Sequence, residues 1–396
     1  MSSSLKMSIP HFVLGIDASR NRSGGARVHL LGILRDSDPT AAGISAVHVW
    51  SYPELLEALP AREWLHKHSP PELGGSLARQ IWWQRRRLPV EVAEAGCDIL
   101  LNTDAGTVCR FQPSVTMSRD MLSYELRELR RYGWSWITLR LLALRYMQSE
   151  SLRRAVGAIF LTAYAARVIR TQVRLATPHR IIPHGISDVF RMSPDPDRWP
   201  EDPGCVIRCV YVSNAEPYKH QWVVVEAIAE LVRQGFRLKL TLAGALSGFA
   251  RRRVEEAAAK ADSEGRFLHC LPAVPHGEIR EFLRRTDIFI FASSCENMPN
   301  TLVEAMAAGL PIACSDRGPM PEVLRDAGVY FDPEDGHSIV KAVKTLLLDR
   351  ELRLRLARKA AALAETYSWE KCGRETWQFA RESLARHRRE IPRTEI

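Results

Sequence analysis

Short apolar runs alternate along the chain with longer stretches that are apolar on one helical face. In the first half, an apolar run at 11–16 precedes a polar loop with Gly24 and Gly25, and a helix-like stretch follows at 28–34. Further strands are predicted at 97–101, 114–117, 158–161 and 180–182. A strand, a glycine loop and a helix in succession are typical of a parallel sheet covered by helices.

The same alternation is clearer in the second half. Strands are predicted at 208–212, 238–243, 267–270, 288–291 and 312–314. Helices are predicted at 221–233, 250–261, 277–284 and 301–308, and then at 337–349, 351–365 and 369–388. Because parallel strands buried on both faces need helices on both sides, this half also predicts an α/β sheet.

Residues 191–204 separate the two halves and contain four prolines among acidic residues, which indicates a linker. The sequence therefore predicts two Rossmann-like domains facing a cleft, one at 1–190 and one at 205–369. Ligands of such sheets bind at the carboxyl ends of the strands.

Composition narrows the class of protein further. The chain has 396 residues, of which 46% are hydrophobic and 26% charged, as in an ordinary globular protein. No stretch approaches 18 uninterrupted apolar residues, so no transmembrane helix is predicted. The apolar run at 12–16 is too short for the core of a signal peptide and is predicted to be a first strand. The eight cysteines form no C-x-x-C pair and no zinc spacing with histidine, which favours a reducing, cytoplasmic compartment.

The segment 291–311 carries the strongest candidate chemistry. A buried strand is followed by a loop with Glu296, and a helix begins near Thr301 with Glu304 in its first turn. One interpretation is structural: Thr301-x-x-Glu304 is a capping box, and Glu296 is a solvated loop acid. The other is chemical, because a helix N-terminus binds anions and a neighbouring carboxylate accepts hydrogen bonds from sugar or ribose hydroxyls.

Glu296 and Glu304, separated by seven residues and followed by Ala-Met-Ala-Ala-Gly-Leu-Pro-Ile, resemble the motif of retaining GT-B glycosyltransferases of the large "group 1" family. The stretch from Ser315 to Pro333 also resembles that family. The resemblance covers 208–369 well and the first half more weakly. It implies a GT-B fold, with a C-terminal helix at about 370–396 packing back on the first domain. The implied reaction transfers a hexosyl unit from a nucleotide-diphosphate sugar to an acceptor hydroxyl, with the anomeric configuration retained.

The resemblance also implies roles for residues of the second domain. Glu296 would contact hydroxyls of the donor sugar, and Glu304 would bind the nucleotide ribose. Backbone N–H groups of Asn300, Thr301 and Leu302 would bind the diphosphate. Lys219 matches the family's basic residue that neutralises the diphosphate, but the arginine expected six residues earlier is replaced by Ser213.

In the first domain, Gly24 and Gly25 match the family's glycine loop, where the chain approaches the donor closely. Arg119 and Asp120 stand where many relatives carry a His-Asp pair. Arginine is not a general base at neutral pH. Arg119 is therefore expected to hold a donor phosphate or an anionic acceptor. Asp120 is expected to accept the acceptor's proton or to bind a sugar hydroxyl.

Neither metal nor cofactor is expected besides the nucleotide sugar as co-substrate. The chain has two Asp-x-Asp pairs, Asp36/Asp38 and Asp195/Asp197, and neither directly follows a core strand. No metal site is therefore assigned to either pair.

The net charge and the aromatic residues bear on which binding partners the chain has. The net charge is +9, and residues 76–154 hold thirteen arginines against eight acids. Seven tryptophan and tyrosine residues are interleaved there: Trp82, Trp83, Tyr124, Tyr132, Trp134, Trp136 and Tyr146. Such a region suits an anionic membrane interface or a polyprenyl-diphosphate acceptor. The alternative interpretation is that the aromatic side chains belong to the core and that the arginines form a solvated face. No nucleic-acid motif is present, so nucleic acid is not expected as a partner.

The leading hypothesis is therefore a glycosyltransferase of surface polysaccharide or glycolipid assembly, with a UDP- or GDP-linked donor and a sugar or lipid-linked sugar acceptor. It is expected in the cytoplasm or at the inner face of the membrane. The pathway rests on family analogy alone. The alternatives are a transferase for a small soluble acceptor, a nucleotide-sugar-binding module that has lost catalysis, and a nucleotide-sugar epimerase.

Overall fold

The structure, a computed structural model, describes residues 11–22, 24–194, 205–272, 274 and 276–390. These residues form two compact units. The first unit contains the described residues up to Arg119, Leu142–Gly185 and the described residues from Ser368 onward. The second unit contains Asp120–Leu141 and the described residues of Ile186–Tyr367.

The first unit contains a sheet of seven parallel strands. Its strands are β1 (Phe12–Asp17), β2 (Ile44–Trp50), β3 (Leu65–His68), β4 (Ile99–Asn102), β5 (Ser114–Ser118), β6 (Gly157–Phe160) and β7 (His179–Ile181). The order across the sheet is β3-β2-β1-β4-β5-β6-β7. The central strands β4, β5 and β6 are fully buried, as expected of parallel strands covered on both faces.

Six helices lie wholly within the first unit, and one helix spans the division between the units. The six are α1 (Gly24–Asp36), α2 (Pro53–Glu57), α3 (Leu77–Arg86), α4 (Leu88–Glu94), α7 (Ala163–Val173) and α15 (Trp369–Glu390). Helix α15 packs on α1. A Cβ at Gly32 of α1 would lie only 2.2 Å from the indole of Trp369, so this crossing requires glycine. The indole N–H of Trp377 donates to Ser37 Oγ at 2.8 Å.

The second unit contains six parallel strands in the order β10-β9-β8-β11-β12-β13. They are β8 (Ile207–Val212), β9 (Leu238–Ala243), β10 (Leu268–Leu271), β11 (Ile288–Phe291), β12 (Ile312–Ser315) and β13 (Val329–Phe331). The strand order reverses between β8 and β11. In open α/β sheets, that switch point is where ligands bind.

The remaining helices are α5 (Leu126–Leu129), α6 (Trp136–Arg154), α8 (Gln221–Arg233), α9 (Gly248–Ala261), α10 (His276–Arg284), α11 (Asn300–Ala307), α12 (Met320–Leu324), α13 (Gly336–Leu348) and α14 (Arg350–Ala364). Helix α6 crosses the division at Leu141. Helix α8 presents nine buried residues to the sheet and its neighbours, which explains its strongly apolar sequence.

The prediction of two α/β domains with parallel sheets is confirmed. One difference concerns the predicted first domain at 1–190, because the structure groups Asp120–Leu141 with the second unit. The reason is a set of polar contacts: Arg131 pairs with Glu334, and the Tyr132 hydroxyl donates to Glu216 at 3.1 Å. The predicted linker is described only up to Pro194, and its residues 195–204 lie outside the described residues.

Candidate active site

The switch point of the second sheet brings two predicted site residues together. Lys219 follows β8, and Glu296 follows the neighbouring strand β11. Their side chains form an ion pair and are only 13% and 16% exposed. The ammonium of Lys219 also lies 5.6 Å from the ring centroid of Phe291, the last residue of β11. The pair places an ammonium donor and a carboxylate acceptor side by side where little water competes for them.

Hydrogen bonds join the two loops that carry this pair. The Ser294 amide donates to the Tyr218 carbonyl at 2.8 Å, and the Tyr211 hydroxyl donates to the Lys219 carbonyl at 2.9 Å. The His220 ring bonds to Ser294 Oγ at 2.9 Å. Burial, aided by the charge of Arg131, lowers the pKa of His220 to about 4, so this ring is neutral at pH 7. These hydrogen bonds therefore fix the positions of the two loops that carry Lys219 and Glu296.

Helix α11 begins beside this pair, and its N-terminus differs from the capping-box interpretation. The N-cap is Pro299, and no side chain caps the helix. The amide of Leu302 already donates to the Pro299 carbonyl at 3.1 Å. The amides of Asn300 and Thr301 precede it in the first turn, where the helix supplies no acceptor. Of the three amides predicted to bind a diphosphate, Asn300 and Thr301 thus fit best.

Glu304 points into the protein instead of back to the N-cap. Its side chain is buried, and its Oε2 has no hydrogen-bond partner. Burial raises the pKa of Glu304 to about 8, so the carboxyl is mostly protonated at pH 7. A buried carboxyl with an unused oxygen costs stability unless a ligand satisfies it. This geometry argues against the capping-box interpretation.

Ser213 provides no cation in place of the expected arginine. Its hydroxyl donates to the Asn214 carbonyl at 3.0 Å, and its own carbonyl accepts from Gln221 Nε2 at 2.9 Å. A Cβ at Gly244 would lie 2.2 Å from that carbonyl, so the loops after β8 and β9 approach each other closely here.

A segment that the sequence did not single out lies against this site. We call Asp120–Leu141 the strap, because it joins first-unit elements and packs on the second unit. Tyr132 contacts Glu216, three residues before Lys219, and Arg131 pairs with both Glu128 and Glu334. Burial alone would raise the pKa of Glu334, but hydrogen bonding and charge from Arg131 bring it below its ordinary value. No local sequence pattern indicates such pairs between distant segments.

The predicted residues of the first unit are separate from this group. Gly24 is the first residue of α1 and has a φ of +61°, so the backbone conformation itself favours glycine there. Gly25 is the second residue of the helix. Arg119 lies with its guanidinium 3.2 Å from His29 Nδ1, and desolvation lowers its pKa to about 10, so it stays charged at pH 7. Asp120, the first residue of the strap, accepts from the Leu122 amide at 3.0 Å.

A buried polar network at the end of β1 also escaped the sequence analysis. Asp17 accepts from Ser19 Oγ at 2.6 Å, from Gln84 Nε2 at 2.7 Å and from Thr107 Oγ1 at 3.1 Å. It fixes the start of the loop that leads to Gly24. The signal for this network in the sequence was Asp17 itself, a charged residue at the end of an otherwise apolar strand.

Within the described part of the chain, no group of three or more His, Cys, Asp or Glu side chains is arranged to hold a metal ion. Asp38 of the first Asp-x-Asp pair instead accepts from the Thr40 amide at 2.9 Å. Asp195 and Asp197 lie outside the described residues.

Part of the second unit is similar to a known protein family. Residues 203–363 match the family described as "Glycosyl transferases group 1". The match covers most of the second unit, including Lys219, Glu296 and Glu304.

One curated relative is the O-antigen chain mannosyltransferase B of Escherichia coli. It is 27% identical over 168 residues, which are 42% of this chain and 44% of the relative. The chain thus spans less than half the length of this curated relative.

Solved structures show the same fold over nearly the whole chain. Sucrose-phosphate synthase from Thermosynechococcus elongatus superposes with a TM-score of 0.74 at 17% identity, covering 95% of this chain and 100% of that one. HepE from Anabaena in complex with UDP-glucose gives 0.67 at 17% identity, covering 96% and 100%. The expectation of a GT-B fold with two Rossmann-like domains is therefore confirmed.

Proposed function

We propose that this chain is a retaining glycosyltransferase that moves a hexosyl unit from a nucleotide-diphosphate sugar to an acceptor hydroxyl. The observation that carries the proposal is the sheltered Lys219–Glu296 pair beside the first turn of α11, at the switch point of the second sheet. The group 1 match over residues 203–363 supports it.

The second-unit residues divide the chemistry between them in this proposal. Lys219 and the amides of Asn300 and Thr301 balance the charge that develops on the departing diphosphate. Glu296 accepts hydrogen bonds from donor-sugar hydroxyls, and Glu304 offers its unpartnered oxygen to the ribose. The acceptor oxygen attacks on the face that the diphosphate leaves, so the enzyme needs no nucleophile of its own. Orientation and charge stabilisation then supply the catalysis.

The acceptor side is proposed to use residues of the first unit and of the strap. Gly24 and Gly25 allow close approach of the donor, Arg119 holds an anionic group, and Asp120 takes the acceptor proton or binds a hydroxyl. The reaction is proposed to need no metal, and added EDTA should leave the rate unchanged.

The donor and acceptor are proposed by class. A UDP- or GDP-linked sugar fits as donor, supported by the UDP-glucose complex of the Anabaena neighbour. A sugar or lipid-linked sugar of polysaccharide or glycolipid assembly fits as acceptor, supported by the O-antigen mannosyltransferase relative. Among the described residues, no helix is both long and apolar enough to cross a bilayer. A peripheral contact with the inner face of the membrane is proposed, on the strength of the basic and aromatic residues within 76–154.

A binding module without catalysis is the second candidate. It is favoured by Ser213, which stands where the family carries a phosphate-binding arginine and whose hydroxyl turns to the backbone.

One experiment separates the two candidates. The purified chain is incubated with UDP- and GDP-linked hexoses and with soluble or lipid-linked acceptors, and the released nucleoside diphosphate is measured. A transferase releases it only with an acceptor, and Glu296→Gln lowers the rate at least about a hundredfold. The matched control Glu256→Gln, at an exposed position of α9, keeps the rate. Donor binding without release in any combination would instead establish the binding module.

A further inference from the structure

The structure divides the aromatic residues of the arginine-rich region into two groups. Trp83 and Tyr124 are buried and belong to the core. Trp134 is fully exposed, and Trp136 is 79% exposed. The core interpretation therefore holds for Trp83 and Tyr124, whereas Trp134 and Trp136 stand exposed at the start of α6.

Apolar side chains continue from these two tryptophans on the solvent side. Ile137 and Leu139 are exposed, whereas Leu141 is buried. We call Trp134, Trp136, Ile137 and Leu139 the aromatic face. Exposed apolar residues continue along the same helix at Leu142 and Tyr146. A surface helix ordinarily turns its apolar side chains inward, so this outward arrangement indicates a contact surface.

The chain segment that carries the aromatic face is basic, although its Arg131 is paired with Glu128 and Glu334. Residues 129–149 contain four arginines and no aspartate or glutamate. Arg140 is exposed and directly follows Leu139. Arginine stems lie along apolar surface while the guanidinium stays in the polar layer, and tryptophan prefers the same depth of a bilayer. This combination matches the headgroup region of an anionic membrane.

The strap holds the aromatic face in place. Arg127 and Arg131 both pair with Glu334. The hydroxyl of Tyr132, which lies two residues before Trp134 in the chain, donates to Glu216. Trp134 and Trp136 are therefore attached to a segment that is fixed to the second unit. A fixed surface loses little conformational freedom when it binds.

We propose that the aromatic face is a docking surface for an anionic lipid bilayer. This deepens the membrane contact of the proposed function and rests on it. A second copy of the chain fits less well as occupant. A two-fold contact would place the face and its arginines against themselves, without an acidic residue in 129–149 to balance them.

Vesicle sedimentation tests the proposal on the full chain without donor or acceptor. Vesicles of phosphatidylcholine with phosphatidylglycerol are compared with vesicles of phosphatidylcholine alone. The variants are Trp134→Ser/Trp136→Ser, Arg140→Gln and the matched control Trp82→Ser, which replaces a tryptophan 52% exposed on α3. Because all four side chains are exposed, the substitutions should leave folding intact.

The wild type should bind the anionic vesicles, and added salt should weaken binding. The double tryptophan variant should lose at least about tenfold in partitioning, and Arg140→Gln about fivefold, while Trp82→Ser keeps wild-type binding. Unchanged binding by the double variant, or no binding by the wild type, overturns the proposal. A dimer in solution that the double tryptophan variant abolishes also overturns the proposal, because the aromatic face would then bind a second copy of the chain. Nucleoside-diphosphate affinity, measured in parallel, shows separately whether the donor site works.

Discussion

At the scale of single residues, Glu304 distinguishes a site from a structural cap. A capping glutamate reaches back to the backbone at the helix start and remains solvated and ionised. Glu304 is instead buried, with Oε2 lacking a partner and a pKa raised by burial to about 8. The protein thus maintains a neutral carboxyl at the proposed ligand-binding edge of the sheet, at a cost in stability that a bound hydroxyl donor would offset.

This carboxyl makes stability depend on pH in a defined direction. Its pKa is about 8 in the folded chain and near 4.5 in the unfolded one. Its stabilising contribution is complete below about pH 4.5 and is lost as the pH rises through 8. The free energy of unfolding of the wild type, relative to Glu304→Gln, should fall by about 1.4 kcal/mol per pH unit within that window. Urea unfolding at a series of pH values measures it.

Glu256→Gln, at an exposed position, serves as the control and should show no such slope. If Glu304→Gln and the wild type ran parallel from pH 5 to pH 8, the buried neutral carboxyl would be disproved.

Lys219 permits a second test at the residue scale. Its ammonium pairs with Glu296 and stands at the proposed diphosphate position. Lys219→Ala should weaken nucleoside-diphosphate binding about tenfold or more, because a charge-assisted hydrogen bond is removed. Lys219→Arg keeps the charge and should recover part of the affinity. Isothermal titration calorimetry gives both values, and equal affinities for all three proteins would remove Lys219 from the site.

At the scale of elements, the buried strands were the easiest to predict. The sequence prediction for β9 and for α8 agrees with the structure at both ends. Strands β2 and β3 were missed because polar residues interrupt them. His48 lies on β2, and β3 is an edge strand of sequence Leu-His-Lys-His. An edge strand needs no continuous apolar run, so hydrophobicity gives little signal there.

The candidate site shows the same limit. The family motif located Lys219 and Glu296, and the structure shows them paired. Neither the strap contacts nor the burial of Glu304 was predictable. Both depend on residues far apart in the sequence, such as Arg131 and Glu334.

The strap should contribute measurably to stability through Arg131. Its partner Glu128 is buried, so Arg131→Met leaves a carboxylate without its cation. We expect a loss of about 1–3 kcal/mol at pH 7. Because hydrogen bonds from Arg131 help to lower the pKa of Glu334, the loss should shrink as the pH falls through the acidic range. Chemical denaturation at pH 7 and pH 4 provides the comparison, and a pH-independent loss would contradict the pairing.

Two glycine substitutions, one at the crossing of α1 and α15 and one at a control position in α13, test how closely α1 and α15 pack. Gly32→Ala would place its Cβ 2.2 Å from the Trp369 ring, so it should destabilise the protein by about 1–3 kcal/mol. Gly336→Ala, at the start of α13, would meet only Val223 at 3.9 Å and should be neutral or stabilising. Thermal unfolding of the two variants tests this, and similar melting temperatures would argue against a tight crossing.

At the scale of the whole molecule, the residues of the proposed site are distributed over the two units. Lys219, Glu296 and Glu304 all belong to the second unit, which also carries the family match. Gly24, Gly25 and Arg119 belong to the first. Donor binding should therefore depend mainly on second-unit residues, whereas substitutions in the first unit should act on turnover.

The excess of positive charge is also unevenly placed. The net charge is +9, and the stretch 129–149, which carries the aromatic face, has no acid at all. Many other arginines lie in ion pairs, such as Arg208 with Asp287 and Arg388 with Asp98. The net charge alone thus indicates less about partners than the single stretch beside the aromatic face.

The most direct test of the central claim is thermal stabilisation by UDP, GDP, ADP and CDP, measured for the wild type, Glu304→Ala and the control Glu256→Ala. A nucleotide at a hundred times its dissociation constant should stabilise the folded chain by about 2.7 kcal/mol. We predict that one nucleotide raises the melting temperature of the wild type and the control, and that Glu304→Ala loses the shift. An equal shift in Glu304→Ala, or no shift with any of the four nucleotides, would contradict a nucleotide-sugar site at the start of α11.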